Sequence, residues 1–266
     1  MVVAPSDPES CEFLRRGRIQ VEGRLVDASN ATLFCSISAH GVDAECVYKP
    51  IRGERPLWDF PDGTLAGREV AAYLIAEGAD AHVIPPTVLR DGPFGPGMVQ
   101  LWVDTNEGEN LVDVVEPAEV PEGWRTVFRA HDRFGDPAVL AHADHPAIRM
   151  LAAIDVVVNN TDRKGGHVLH GTDGGVYGVD HGICLHSEYK LRTVLWGFNS
   201  EPLPLEVVDA LRTLRERLDG GLGTQLHEHL TRTEVRAVAE RTDLLLAEGV
   251  YPEPTSQWRA IPWPAF

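Results

Sequence analysis

The chain has 266 residues, of which 43% are hydrophobic and 24% are charged, and these proportions are typical of a globular protein with a sizeable core. Its formal net charge of −16 at pH 7 argues against a protein that binds nucleic acid or anionic lipid through charge. We therefore expect a soluble protein with no nucleic-acid partner and no stable association with a membrane.

The start of the chain and its cysteines predict a cytoplasmic location. The first ten residues, MVVAPSDPES, lack the basic and apolar regions of a signal peptide. No apolar run approaches the roughly 18 residues that a membrane-spanning helix needs. The four cysteines show no C-x-x-C spacing, which favours reduced thiols over a disulfide framework or a zinc site.

The first hundred residues are predicted to form a small, mainly β structure. Five segments have the composition or alternation of strands, and one has the period of a helix. In chain order these are strands at 18–26, 32–38 and 44–50, a helix at 64–77, and strands at 86–90 and 97–103. Ser29 and Asn30 lie at the tip of the first hairpin, and Thr64 is a suitable N-cap for the helix.

After about residue 104 the pattern becomes mostly helical. Residues 105–123 are acidic and rich in turn-forming residues. Ile148, Leu151, Ile154 and Val158 recur at intervals of three to four residues, which places them on one face of a helix. Two short strands at 166–170 and 175–179 and two helices at 203–218 and 232–248 complete the prediction.

This order of elements predicts an α+β protein with two lobes. Strands and helices are segregated along the chain and do not alternate, which argues against a parallel α/β sheet. We predict a small β-rich N-lobe at 1–103 and a larger, mostly helical C-lobe at 104–266. Protein kinases have the same bilobal layout.

The stretch NTDRKGGHVL, residues 160–169, concentrates charged and titratable side chains directly after an apolar run. Phosphoryl transfer needs a lysine at the nucleotide phosphates, a carboxylate that holds it, a carboxylate for the acceptor hydroxyl, and metal ligands. Asp162, Lys164 and His167 form the pattern D-x-K-x-x-H, where protein kinases have D-x-K-x-x-N.

Two further segments match the kinase pattern. The triplet DHG at 180–182 follows the second predicted hairpin, as D-F-G does, and begins 18 residues after Asp162. Lys49 ends the strand CVYK, and Glu69 follows twenty residues later on the apolar face of the first helix. A glutamate on an apolar face is costly unless it is paired, so we expect a Lys49–Glu69 ion pair.

The sequence DVVVNNTDRKGGHVL … GVYGVDHGICL resembles the catalytic segments of the phosphatidylinositol 3-/4-kinase-like superfamily of atypical kinases. It is most similar to type II phosphatidylinositol 4-kinases, to HipA-type bacterial kinases and to a family of actinobacterial proteins related to them. The resemblance covers roughly residues 20–200 and is strongest at 155–185. It implies a kinase that uses ATP with Mg²⁺ or Mn²⁺.

The resemblance also implies a role for each matching residue. Asp162 would be the catalytic aspartate, as a base or as the group that orients the acceptor hydroxyl. Lys164 would neutralise the transferring phosphoryl group, and Asp180 would ligate the metal. The nucleotide contacts would be Lys49, held by Glu69, at the α- and β-phosphates, Ser29 and Asn30 at the β- and γ-phosphates, and Leu101, Trp102 and Val103 around adenine.

Two departures from the kinase pattern bear on activity. At the +5 position His167 replaces asparagine, and an imidazole prefers softer metals than magnesium. His167 therefore favours manganese as the ion, or marks weakened or altered activity. The hairpin around Ser29 and Asn30 has no glycine cluster, which is also true of the phosphatidylinositol kinase-like branch. Arg163 is suited to a structural ion pair.

The acceptor substrate is expected to be the hydroxyl of a protein or a small molecule. Lys190 and Arg192 are the only full positive charges in the segment after Asp180, and the strongly negative chain disfavours a phospholipid surface. Three alternatives stay open. The first two are a pseudokinase that binds nucleotide and regulates a partner, and a kinase fold that transfers AMP.

The third alternative is a histidine-rich metallohydrolase. The chain has 11 histidines, and His142 and His145 are spaced as H-x-x-H beside Asp144. An H-E-x-x-H motif does not occur in the sequence. The other histidines available to such a site are His131, His167, His170, His181 and His186.

Overall fold

The computed structural model describes residues 3–5, 7–25, 31–106, 108–131, 134–256 and 258–266. Its N-terminal part is an antiparallel five-stranded sheet with the strand order β1-β2-β3-β5-β4 and two helices. In chain order the elements are α1 (Ser10–Arg16), β1 (Arg18–Arg24), β2 (Leu33–Ala39), β3 (Val42–Pro50), α2 (Leu65–Gly78), β4 (Thr87–Gly92) and β5 (Gly95–Leu101). The sequence predicted all of these except α1.

Helix α2 begins where the sequence predicted. The side chain of Thr64 accepts a hydrogen bond from the backbone N–H of Gly67, which satisfies one of the free donors of the first turn. Along β3, Cys46 and Tyr48 point into a small core beneath the sheet together with Leu14 of α1. Because side chains alternate along a strand, Lys49 lies on the opposite face of the sheet from Tyr48.

A second, three-stranded antiparallel sheet follows, with the strand order β6-β8-β7. Its strands are β6 (Val112–Val115), β7 (Trp124–His131) and β8 (Pro137–Ala143). The sequence predicted an acidic, turn-rich segment followed by helices here, and that prediction was wrong for this region. The central strand β8 is buried from Ala138 to His142, so it lacks the alternation that reveals a strand with one exposed face.

The rest of the chain is mainly helical. Its elements are α3 (Pro146–Val158), β9 (Val168–His170), β10 (Val176–Gly178), α4 (Leu205–Leu218), α5 (Gly221–Leu226) and α6 (Arg232–Glu248). The four predicted apolar positions of α3 are all fully buried. Helix α6 spans the predicted 232–248 and begins with a capping box between Thr231 and Glu234.

One large apolar core joins α2 to the later helices. It includes Ala72 and Ile75 of α2, Leu151 of α3, Leu211 of α4 and Val238 of α6. Helix α2 therefore packs against the C-terminal part as well as against its own sheet. The mixed α+β architecture predicted from the sequence is confirmed, with a β-rich N-terminal part and a helical C-terminal part.

None of the helices in the described part of the chain combines the length and the apolar sequence that crossing a bilayer requires.

Candidate functional site

A cleft lies between the five-stranded sheet, α2 and the loops that follow α3 and β10. Its cavity has a volume of about 150 Å³. Six of the predicted site residues line it: Lys49, Glu69, Asp162, Lys164, His167 and Asp180. The fold therefore brings together side chains from β3, from α2 and from two separate loops.

Lys49 lies at the centre of this cleft. Its Nζ atom is 2.5 Å from Oε1 of Glu69 and 2.7 Å from Oδ1 of Asp180. Burial alone would lower the pKa of Lys49, but the carboxylates of Asp180 and Glu69 outweigh it and raise that pKa above its ordinary value. The expected contact between Lys49 and Glu69 is present, and Asp180 shares the same ammonium group.

Asp180 follows β10 and has a left-handed backbone conformation with φ of 60°. Such a conformation is uncommon for residues other than glycine and concentrates at functional sites. The next residue, His181, donates its backbone N–H to Oε2 of Glu69 at 3.0 Å. Lys49 holds the pKa of the Asp180 carboxyl well below its usual range, so this group is a carboxylate at neutral pH.

His167 faces the other oxygen of the same carboxylate. Its Nε2 atom lies 3.5 Å from Oδ2 of Asp180. Burial lowers the pKa of His167 to about 4, so its imidazole is neutral at pH 7. Within the described ranges, its buried Nδ1 atom has no hydrogen-bond partner. A neutral imidazole and a carboxylate at this separation are suited to hold a divalent ion between them.

Asp162 and Lys164 form the wall of the cleft on the side of the loop after α3. Nζ of Lys164 is 3.8 Å from Oδ2 of Asp162. Burial raises the pKa of the Asp162 carboxyl, and the positive charge of Lys164 opposes that effect. The backbone N–H of Asp162 donates to Oδ1 of Asn160 at 2.9 Å, which fixes the turn that presents the carboxylate.

The residues directly before Asp162 fasten this loop. Asn159 ends α3 in a left-handed conformation, and its side-chain amide donates to two backbone carbonyls in the segment after Asp180. Thr161 donates both its backbone N–H and its hydroxyl to the carbonyl of Ile183, at 3.0 and 2.7 Å. These bonds tie the loop that carries Asp162 to the loop that carries Asp180.

Arg163 is the strongest of these ties and is completely buried. Its guanidinium contacts both carboxylate oxygens of Asp155 at 2.8 and 2.9 Å. It also donates to the carbonyls of His167 and Val179 at 3.1 and 2.8 Å, and it contacts Nε2 of His181 at 2.6 Å. All five N–H donors of an arginine are thereby used. The sequence suggested a structural ion pair for Arg163 but did not identify its partners.

The sequence contained a signal for the partner of Arg163, because one aspartate stands inside an apolar run. Asp155 interrupts the sequence MLAAIDVVV and is fully buried on α3. A buried aspartate needs a cation or several donors nearby, so its position alone pointed to a partner of positive charge.

Three predicted adenine-binding residues do not line the cavity. Leu101 ends β5, and Trp102 and Val103 follow it. The backbone N–H groups of Leu101 and Trp102 donate to the carbonyls of Pro86 and Glu45, each at 3.0 Å. These two donors are occupied, and the assignment of the segment to adenine stays a prediction.

Ser29 and Asn30, the predicted phosphate-loop residues, belong to the segment 26–30, which is outside the described residues. Ala31 and Thr32, which follow directly, line the cavity. The roles of Ser29 and Asn30 stay predictions.

Glu54 lines the cavity and was not predicted. Its carboxylate oxygens accept the backbone N–H groups of Leu65 and Ala66 at 3.0 and 2.8 Å, at the start of α2. A carboxylate is stabilised there by the free donors and the dipole of the helix. The surrounding Gly- and Pro-containing segment indicated only a loop, so the sequence had no signal for this contact.

The H-x-x-H pair of the metallohydrolase alternative, His142 and His145, has structural contacts. His142 is fully buried, and its Nε2 accepts the backbone N–H of Gly197 at 3.1 Å. His145 caps α3, and Asp144 pairs with Arg149 at 2.7 Å. Across the described ranges of the chain, no three His, Cys, Asp or Glu side chains are grouped so that they could hold a metal by themselves.

The kinase-type cleft fits a divalent ion that is bound together with a nucleotide. Magnesium in such sites takes one or two protein ligands, and phosphate and water complete its coordination. Asp180 is 49% exposed and His167 faces it, which supplies two protein ligands on one side. Lys49 Nζ, which contacts Oδ1 of the same Asp180 carboxylate, places a positive charge beside this pair.

The fold is similar to that of a solved kinase. The crystal structure of the Golgi casein kinase with Mn/ADP bound matches with a TM-score of 0.52 and 14% identity, covering 91% of this chain and 76% of that chain. This likeness confirms the kinase-like α+β fold that the sequence predicted.

A plant kinase and a bacterial protein are similar in sequence. Over 163 residues the chain is 29% identical to phosphatidylinositol 4-kinase gamma 7 of Arabidopsis thaliana, covering 57% of this chain and 24% of that protein. The likenesses support a kinase-like superfamily, within which the phosphatidylinositol 3-/4-kinase-like branch stays a prediction. No family model matches the chain.

The bacterial relative is Protein Rv2133c of Mycobacterium tuberculosis (strain ATCC 25618 / H37Rv). The two chains are 48% identical over 263 residues, which covers 95% of this chain and 94% of that protein. The chain belongs to the same family as Protein Rv2133c.

Proposed function

We propose that this protein is an ATP-dependent phosphotransferase of the atypical kinase type. It transfers the γ-phosphoryl group of ATP to a hydroxyl of a protein or a small molecule. The observation that carries the proposal is the position of Lys49, whose Nζ lies 2.5 Å from Glu69 and 2.7 Å from Asp180. In protein kinases the lysine that contacts the phosphates pairs with a glutamate and lies close to the metal-binding aspartate and the catalytic loop.

Each side chain has a defined task in this proposal. Lys49 holds the α- and β-phosphates, and the buried Glu69 holds Lys49. Asp162 accepts a hydrogen bond from the acceptor hydroxyl and takes its proton as the bond to phosphorus forms. The raised pKa of Asp162 suits a proton acceptor better than that of an exposed aspartate. Lys164 balances charge on the transferring group.

The reaction balances without a further reactant. The acceptor oxygen attacks the γ-phosphorus, the bond from that phosphorus to the β–γ bridging oxygen breaks, and ADP leaves. Asp180 and His167 would hold a divalent ion, Mg²⁺ or Mn²⁺, which neutralises phosphate charge when it is bound. Leu101, Trp102 and Val103 are proposed to surround adenine, and Ser29 and Asn30 to contact the β- and γ-phosphates.

His167 also supports a second candidate, a pseudokinase that binds nucleotide and regulates a partner. The imidazole stands where a kinase has an asparagine, and it lies 3.5 Å from Asp180. If that geometry suits manganese poorly as well as magnesium, nucleotide would bind and no transfer would follow. Transfer of AMP by the same cleft is a third outcome that an experiment can separate.

The first test is thermal melting of the purified protein with ATP plus Mg²⁺, with ATP plus Mn²⁺, and with each metal alone. We expect stabilisation that needs both nucleotide and metal and that disappears in Asp180→Ala. Asp209→Ala on α4 is the matched control, because that carboxylate is 72% exposed and far along the chain from the cleft. No nucleotide-dependent shift in any condition would contradict the proposal.

Isotopic labelling then separates the three candidate activities. Label from γ-labelled ATP on protein or small-molecule acceptors indicates phosphotransfer, and label from α-labelled ATP indicates transfer of AMP. Nucleotide binding with neither label indicates a pseudokinase.

The chain has only three lysines, Lys49, Lys164 and Lys190, so the site of reaction of a lysine-reactive acyl-phosphate analogue of ATP can be mapped unambiguously. Labelling of Lys190 in place of Lys49 would contradict the proposed phosphate site.

A further inference from the structure

A groove beside α6 has a lining different from that of the candidate nucleotide cleft. Its volume is about 410 Å³, which falls within the range of roughly 300–1,000 Å³ that is typical of small-molecule sites. Most of its walls are apolar, and they come from α3, from the segment after Asp180, from α6 and from the segment that follows it. These apolar wall residues are Val156, Tyr189, Leu244, Leu245, Val250 and Pro252.

One side of the groove is formed by Arg241, which is only 9% exposed. Its Nε donates to the carbonyl of Val157 at 2.8 Å, and its Nη1 donates to the carbonyl of His186 at 3.2 Å. Among the residues that the structure describes, Nη2 has no hydrogen-bond partner and no carboxylate lies within ion-pair distance of the guanidinium.

This arginine differs from the other buried arginines of the described chain. Arg68 pairs with Glu234 at 2.5 Å, and Arg163 pairs with Asp155 at 2.8 Å. Burial lowers the pKa of Arg241 to about 10, and the more distant charges of Glu240 and Glu234 oppose this effect without cancelling it. A buried cation with a free donor is costly unless an anion accompanies it. The missing partner is therefore an anion that the chain itself does not supply.

The groove has charged residues of opposite sign along α6, with apolar residues between them. Arg241, Leu244, Leu245 and Glu248 follow one another at helical spacing along one face of α6. Seven residues separate Arg241 from Glu248, a rise of about 10 Å along the helix. Leu244 is 60% exposed, so it leaves apolar surface open along the groove between Arg241 and Glu248.

We propose that this groove binds a single-chain amphipathic carboxylate of the fatty-acid type, with its carboxylate at Arg241 and its chain along the apolar walls. A neutral ligand would leave the guanidinium uncompensated, and a cationic ligand would be repelled by it. Glu248 and Glu253 also line the groove, so a negative head group is favoured at Arg241 and disfavoured at the other end.

A free single-chain ligand fits better than an anionic membrane lipid. The chain carries a net charge of −16, which opposes approach to an anionic bilayer. Nη2 of Arg241 has almost no exposed surface, so only a compact head group such as a carboxylate, and not a bulky phosphoglycerol, could approach the guanidinium from the groove. The inference concerns a site separate from the proposed nucleotide cleft and does not rest on the proposed function.

The groove also contacts elements that carry the candidate site. The carbonyl of His186 accepts hydrogen bonds from both Arg241 and the side chain of Asn159, at 3.2 and 3.0 Å. Val157, the other acceptor of Arg241, lies in the last turn of α3 before the loop of Asp162. An anion at Arg241 would therefore strengthen the anchoring of both loops.

Isothermal titration calorimetry on the full chain tests the proposal. The probes are decanoate, the neutral decyl glucoside and the cationic decyltrimethylammonium, each below its micelle concentration. We expect decanoate to bind with one-to-one stoichiometry and at least about tenfold more tightly than the other two, because only the carboxylate pairs with Arg241. ATP should not displace it.

Four variants locate the site. Arg241→Gln should weaken decanoate binding about tenfold or more, and Arg241→Lys should retain most of it. Leu244→Ser should weaken binding without affecting folding, since this side chain is largely exposed. Leu205→Ser is the matched control, because Leu205 is a 77% exposed leucine on α4. Circular dichroism checks that each variant is folded.

Three outcomes would overturn the proposal. Equal affinity for decanoate and decyl glucoside would remove the role of the charge. Unchanged binding in Leu244→Ser would place the ligand elsewhere, and this result decides the matter even if Arg241→Gln fails to fold. Co-sedimentation with phosphatidylglycerol vesicles, together with no response to decanoate, would indicate a membrane surface in place of a free ligand.

Discussion

At Lys49, one ammonium group contacts two carboxylates of very different exposure. The side chain of Glu69 is 2% exposed, whereas that of Asp180 is 49% exposed. The Lys49–Glu69 contact is therefore a permanent part of the core, and the Lys49–Asp180 contact can exchange with ligands from solvent. Under the proposed function, phosphate at Lys49 and a metal ion at Asp180 would replace this exposed contact.

Replacing Asp162 by alanine tests the proposed proton acceptor. We expect the rate of transfer to fall about 10²- to 10⁴-fold, which is the usual contribution of a general base. Nucleotide affinity should stay nearly unchanged, because Asp162 contacts neither Lys49 nor Glu69. Initial rates and equilibrium titration with a fluorescent ATP analogue measure the two quantities. Transfer within a few-fold of the unaltered protein would mean that Asp162 is not the catalytic aspartate.

Replacing His167 by asparagine tests the metal ligand. Asparagine offers an oxygen in place of an imidazole nitrogen, and magnesium prefers oxygen. We expect the ratio of Mn²⁺- to Mg²⁺-supported nucleotide stabilisation to fall in this variant. Thermal melting across a series of metal concentrations measures the ratio. The control is His170→Asn, because His170 is the last residue of β9 and does not line the cavity. An unchanged ratio would show that His167 does not touch the metal.

At the scale of elements, the loop after α3 depends on Arg163 more than on any local turn. Its guanidinium reaches Asp155 of α3 and the carbonyls that precede and follow the β9–β10 hairpin. Gly178 at the end of β10 permits this approach, since a Cβ there would lie 2.9 Å from Nη2 of Arg163. One buried ion pair thus sets the spacing between the loops of Asp162 and Asp180.

Asp155→Asn tests this tie. The substitution leaves Arg163 buried without a counter-charge, and breaking a buried pair in this way costs about 3–5 kcal/mol. We expect a loss of that size in the free energy of unfolding, measured by urea denaturation. Asp209→Asn, in an exposed pair with Arg212, should change it little. If the free energy of unfolding fell by the same small amount in both variants, the hydrogen bonds from Arg163 to backbone carbonyls would be sufficient without the ion pair.

The elements that the sequence predicted share a simple property. Helices α2, α3 and α6 are each at least 13 residues long, so apolar residues at intervals of three to four can be recognised along them, although α2 and α3 are buried on most sides. Strand β8 is buried on both faces and α1 is only seven residues long, so neither leaves a periodic signal. The second sheet could not be predicted for that reason.

At the scale of the whole molecule, α2 is fixed to the C-terminal part at both ends. Near its start, Arg68 pairs with Glu234 at 2.5 Å and donates to the carbonyl of Cys184 at 2.9 Å. Beyond its end, Arg217 of α4 pairs with Asp80 at 2.7 Å. Because Glu69 lies next to Arg68, these contacts hold the Lys49–Glu69 pair against the loop of Asp180.

A double-mutant cycle tests this connection. Arg68→Met leaves Glu234 buried without its cation and should lower the free energy of unfolding by about 3–5 kcal/mol. Adding Glu234→Gln removes the uncompensated charge and keeps an amide that can complete the capping box with Thr231, so most of the loss should be recovered. Urea denaturation of the four proteins measures the cycle. Additive losses in the double variant would contradict the coupling.

By itself, the sequence determined the five strands and α2 of the N-terminal part, helices α3, α4 and α6, the α+β class and the short patterns at Lys49, Glu69, Asp162 and Asp180. Those features depend on residue spacing within one element or one loop, which can be read along the chain. The division at residue 103 and the roles of the site residues stay predictions that the variants above address.

Only the tertiary structure decided which distant groups meet. The contact of Lys49 with Asp180 joins residues 131 positions apart, and Arg68 of α2 finds its carboxylate on α6. Arg163, in the loop after α3, reaches back to Asp155 of that helix. It also decided that Arg241 has no carboxylate beside it in the described chain. The physical reason is that the energy of a buried charge depends on its surroundings in three dimensions, and a sequence specifies those surroundings only after it has folded.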